Sequence, residues 1–146
     1  MNSLGRVTTL ACGCLVLLTA LGIHSPLGVA GQTMAGTYKV TETTDLGMQI
    51  RVTMLIRLMN AAEDKLFVTE VRLRGVPHSG RSAANPAGVI LEPHGSSEFT
   101  QDFTVEKQEY ELWSRGARPH LGLKVRAAGG AETTMTIALM PQLGSR

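Results

Sequence analysis

The 146 residues carry 14 Lys or Arg against 12 Asp or Glu, a formal charge of +2. That near-balance excludes the overall electrostatic footprint of a nucleic-acid binder or an anionic-membrane binder. The length sets a prior of one domain, large enough to bury a core without disulfides.

The N-terminus reads as an export signal. Met1 to Arg6 is short and carries one positive charge, and Leu10 to Ile23 is an uncharged apolar run. His24-Ser25-Pro26 breaks that run, and Gly28-Val29-Ala30 then supplies the small residues that signal peptidase requires. A signal peptide over residues 1–30 is expected, cleaved after Ala30, with cleavage after Ala35 as the alternative and a single domain over 36–146. The competing reading is an uncleaved anchor. Counted from Val7, however, the stretch reaches only the lower edge of spanning length and is interrupted by threonines and glycines. Both cysteines, Cys12 and Cys14, lie inside the run, too early for lipidation. Cleavage removes them, and with them any disulfide, thiol nucleophile or thiolate metal site. The expected product is periplasmic or secreted and keeps no stable membrane insertion.

Beyond the leader the dominant signal has period two. Thr37 to Thr43 is expected as a first strand, at an edge. Met48 to Met59 places Ile50, Val52, Met54, Ile56 and Leu58 on one face and Gln49, Arg51, Thr53 and Arg57 on the other, as a half-buried strand does. A polar turn follows, then Lys65 to Arg74, where Leu66 and Val68 break the parity of Phe67, Val71 and Leu73 and suggest a bulge. Gly75 to Gly88 reads as the longest loop. Val89 to Leu91, Phe99 to Val105, Glu109 to Trp113, Leu121 to Arg126 and Glu132 to Met140 read as further strands, with a tight turn at Gly129-Gly130. Seven or eight short strands, without an amphipathic helix, indicate an all-β antiparallel sandwich of Ig or fibronectin type, with a closed barrel as the alternative.

Two stretches carry a resemblance. Arg57-Leu58-Met59-Asn60, a polar turn and Leu66 to Leu73 form one; Ile90-Leu91-Glu92-Pro93-His94-Gly95 followed by Phe99 and Phe103 forms the other. Together they resemble the layout of bacterial Ig-like modules of exported proteins, of the cell-adhesion-related type. His94 departs from it, standing between the proline and the glycine of the turn. The resemblance implies a sandwich and a spacer or interaction role, and carries no functional residue with it.

The chemistry-bearing residues divide into four groups. His78, His94 and His120 sit in expected loops, where imidazoles could meet a metal, yet no two have chelating spacing, and solvated loop histidines are the plainer reading. Glu109 and Glu111, on a strand, would share one face about 7 Å apart, a separation within reach of glycosidic chemistry. Pairing with Arg51, Lys124 or Arg126 across strands competes with that role. Ser96 and Ser97 lie in a turn, outside any nucleophile motif. Trp113, Arg115, Arg118 and His120 concentrate aromatic and cationic character, the composition of binding hot spots. A core role for Trp113 competes, and the scarcity of aromatics favours it.

No P-loop, dinucleotide fingerprint or calcium loop is present in the sequence. These readings lead to an expected non-catalytic, extracytoplasmic domain without cofactor or metal, acting by contact with a protein or envelope component. The alternative is an exported binder of a small sugar or metal.

Overall fold

The computed structural model describes residues 33–74 and 84–143. Over them the chain forms β1 (Met34–Asp45), β2 (Gln49–Asn60), β3 (Leu66–Arg74), β4 (Asn85–Leu91), β5 (Ser96–Glu106), α1 (Lys107–Ser114), β6 (His120–Ala127) and β7 (Glu132–Pro141). The strands make one sheet in the order β4-β3-β6-β7-β1-β2-β5. Every pairing is antiparallel except β1 with β7, which run parallel through Gly36↔Leu139, Thr37↔Met140 and Tyr38↔Pro141. The two outermost strands approach one another, and Asn85 Nδ2 donates to the Asp102 carbonyl at 3.2 Å. Over the described residues the protein is therefore all-β with one short helix, its sheet curled nearly into a barrel.

The strands expected in two sheets are joined into one continuous sheet, and Gly36 stands at the junction. A Cβ there would stand 2.7 Å from Leu139 Cδ2 and 2.9 Å from Ile137 Cδ1. Leu139 and Ile137 are buried, so any side chain at position 36 would force both to repack. Glycine lets β1 close on β7, so β1 is interior to the sheet along its first residues rather than an edge strand.

The alternating apolar residues do what their period requires. Ile50, Val52, Met54, Ile56 and Leu58 from β2 are buried with Leu121, Leu123 and Val125 from β6 and Ile137 and Leu139 from β7. Each such side chain, fully buried, contributes roughly 1.5–3 kcal/mol. The parity break in β3 is a bulge: its register slips between Val68 and Glu70 against both neighbours. Leu66 and Val68 point inward with Val71 and Leu73, whereas Phe67 takes the outer face, beneath Lys65 and Arg126.

Two expected elements need correction. Residues 85–88, read as loop, begin β4, whose edge position accommodates Pro86; residues 75–83 lie outside the described ones. The strand expected over Glu109 to Trp113 is the helix α1. Its eight residues include no β-branched side chain and are mostly good helix formers. Gly116, at φ 98°, ends it by donating its N–H to the Trp113 carbonyl at 3.0 Å. The helix packs against β5 and β2.

Candidate functional site

Helical geometry dissolves two of the groupings read from the sequence. On a helix, positions i and i+4 share a face and i, i+2 do not. Glu109 and Trp113 therefore both turn inward and are buried, while Glu111 is exposed near Arg115, at 4.0 Å. The two carboxylates are not a facing pair. Trp113 belongs to the core and meets Tyr110 edge to face, ring centroids 5.7 Å apart. Of its expected partners, Arg115 and Arg118 are exposed on the α1–β6 connection, and His120 is half-buried at the start of β6.

The histidines are separated as well. His94 sits in the β4–β5 turn, 3.1 Å from Glu63 Oε1, and His120 pairs in register with Arg74 of β3; His78 lies outside the described residues. Among the described residues no group of three or more His, Cys, Asp or Glu could hold a metal. His94 has a backbone role instead. The Gly95 N–H donates to the Glu92 carbonyl at 2.9 Å, and His94 takes φ 52° within that turn, the left-handed position a glycine would fill after proline. His94→Asn, which tolerates this region, is expected to leave the denaturation midpoint unchanged. His94→Val should cost about 1–2 kcal/mol. Equal midpoints for the two variants would contradict the left-handed assignment.

The arrangement with chemical potential is one the sequence reading passed over: the outer face of β3, β6 and β7. Register places Glu70, Lys124 and Thr134 in one row across these strands and Arg72, Gly122 and Thr136 in the next; Arg74, His120 and Ala138 make the third. Because position 122 has no side chain, the middle row has a gap. A cleft of about 200 Å³ opens there, lined by Glu70, Arg72, Arg74, Lys124 and Thr134 around the Gly122 backbone. Glu70 bridges two of the cations, reaching Lys124 Nζ at 2.9 Å and Arg72 at 3.6 Å. That hydrogen bond and the adjacent charge hold the Lys124 ammonium above the usual lysine range. Arg74 lies across Gly122, and its Nε is buried with no hydrogen-bond partner among the described residues. The signal in the sequence was Glu70-x-Arg72-x-Arg74, an alternating charged set on the parity opposite Val71 and Leu73.

The opposite outer face, on β1, β2 and β5, closes several of its rows internally. Arg57 meets Glu98 at 3.1 Å, Thr53 donates to Asp102 at 2.7 Å and Gln49 to Glu106 at 3.1 Å. Below it, Lys107 reaches Asp45 at 2.6 Å. This hydrogen bond, seconded by the Gly47 N–H, keeps the Asp45 carboxyl below the usual range and raises Lys107.

No family model matches the chain, and no curated protein does. Among solved structures, a Northeast Structural Genomics Consortium target, SoR45, is similar at 7% identity and a TM-score of 0.44, over 73% of this chain and 84% of that one. A protein from Archaeoglobus fulgidus is similar at 9% identity and a TM-score of 0.39, over 71% and 91%. A β-glucosidase from Erythrobacter marinus aligns at 14% identity and a TM-score of 0.25, over 73% of this chain and 16% of that one. These likenesses are too loose to carry a function.

Proposed function

We propose that the chain is exported and that its mature part is a non-catalytic module of Ig or fibronectin build. In this reading it acts by contact with a protein or envelope component through the outer face of β3, β6 and β7. The strand order supports the build: β1-β2-β5 and β4-β3-β6-β7 would be its two layers, with β1 running beside β7 over just three residue pairs. The observation that carries the contact role is the unevenness of charge between the two outer faces. One face closes rows internally, whereas the other leaves a cleft lined by three cations and one carboxylate, with a buried guanidinium nitrogen that has no partner among the described residues. Cleavage after Ala30 fits the fold better than cleavage after Ala35, because Met34 is fully buried and pairs with Asn60 at the start of β1.

Expression with the native leader tests the reading. A product beginning at Gly31 is expected outside the cytosol. A photo-crosslinking residue at Arg126 or Thr136 should capture an envelope partner, and one at Thr104, on the other face, should not. Recovery from the cytosol with the leader intact would overturn the export, and equal capture from both faces would overturn the contact surface.

A further inference from the structure

We propose that the Gly122 cleft is an oxyanion-binding site, which takes a carboxylate or sulfate group between Arg72, Arg74 and Lys124. The proposal deepens the contact reading of the preceding section and rests on the same face. It starts from position 122. Any side chain there would meet Arg74 Nε 3.1 Å from its Cβ and the Arg72 carbonyl at 3.4 Å. Glycine thus leaves the space in which the Arg74 side chain lies across position 122 with its Nε buried beside the cleft.

A buried N–H is almost always hydrogen-bonded in a native protein. Arg74 Nε, buried and without an acceptor among the described residues, is such an exception, and a turn of the side chain toward an oxygen in the cleft would remove it. A guanidinium offers its N–H groups as a planar fork, which matches the two oxygens of a carboxylate or two of a sulfate. The cleft's 200 Å³ equals the liquid volume of about six or seven waters, at roughly 30 Å³ each, so an oxyanion fits with the carbon that bears it. Thr134, at the rim, adds a hydroxyl that can donate to the same group.

Glu70 gives the site its selectivity. By holding Lys124 and Arg72 it fixes two cations at the cleft wall, and it also offsets part of their charge. A single oxyanion is attracted to the remaining excess, whereas the near-neutral whole chain offers no long-range field for a densely charged polymer. The oxyanion can arrive free in solution or pendant on an acidic saccharide. The chemistry is the same, and the test separates the sources.

The test is a titration of the purified protein with sodium sulfate, galacturonate and galacturonate oligomers at constant ionic strength, read by calorimetry and by the backbone amide shifts of residues 72–74 and 122–124. Saturable binding is expected, with Kd raised at least tenfold in Arg74→Gln. Gly122→Val should abolish it, and Glu70→Gln should tighten it. Should Gly122→Val fail to fold by circular dichroism, Arg74→Gln and Glu70→Gln still decide. Equal affinity for sulfate and for every uronate length identifies a free anion, and affinity rising with oligomer length identifies a saccharide; both support the site. Absence of saturable shifts, or shifts unchanged in Arg74→Gln, would overturn it. That failure would leave the contact reading intact, since export and face-specific crosslinking report on it separately.

Discussion

Trp113→Ala is expected to lower the free energy of unfolding by about 3–5 kcal/mol, the cost of removing a large aromatic from a core. Trp113 is buried and holds α1 against the inner side of the sheet together with Tyr110, its edge-to-face partner three residues earlier. Without the indole, α1 loses its main anchor, and the ends of β2 and β5 beneath it become wet. Against a total stability of some 5–15 kcal/mol, such a loss can leave the chain unfolded. The companion variant Trp113→Phe keeps the prediction decidable. The Trp113 Nε1 is buried without a hydrogen-bond partner among the described residues, so the ring is held by packing alone. Phenylalanine should therefore cost less than about 1.5 kcal/mol. Chemical denaturation followed by far-ultraviolet circular dichroism measures both. The assignment fails if Ala and Phe are equally tolerated, or if the native tryptophan is quenched by iodide as readily as the unfolded one.

Asn60→Ala is the second large effect, at about 2–4 kcal/mol. Asn60 ends β2 and is 2% exposed. Its Nδ2 donates to the carbonyls of Asp64 at 2.8 Å and Glu92 at 3.1 Å, with Leu91 at 3.5 Å, and its Oδ1 accepts the Ala62 N–H at 2.9 Å. One side chain thereby ties the β2–β3 turn to the β4–β5 turn, two segments some thirty residues apart. Each bond contributes about 0.5–1.5 kcal/mol, and each buried carbonyl left unsatisfied adds about 1–3 kcal/mol, although water can re-enter at the turn and limit the total. Hydrogen exchange at the Ala62 amide should accelerate by more than the global destabilisation accounts for. A loss under about 0.5 kcal/mol would mean that solvent replaces the side chain and that the turns are fastened elsewhere.

Asn60 also shows how far a local pattern reaches. The stretch ending in Asn60 and the Pro93-His94-Gly95 turn were legible as separate signals in the sequence; that one holds the other was not, because the carbonyls of Leu91 and Glu92 come near only on folding. The same holds for the cleft. Glu70, Arg72 and Arg74 alternate visibly, and Gly122 stands among alternating neighbours, yet only the β3–β6 register sets the glycine beside Arg72. The helix was misread for a different reason. Glu109-Tyr110-Glu111-Leu112 alternates polar with apolar as a strand does, whereas the absence of β-branched residues and the stop at Gly116 pointed the other way.

By itself, the order of residues determined which side chains go inside the β-strands, because a pleated strand sends alternate side chains to opposite faces whatever its neighbours. It also determined most turn positions, through the backbone preferences of Gly, Pro and Asn. Tertiary structure decided the rest. It joined the two halves through Gly36, turned Trp113 inward on α1 and gathered Arg72, Arg74 and Lys124 around Gly122. Each of these depends on distances between residues remote in the chain, which pairing register and close packing set and local preference does not.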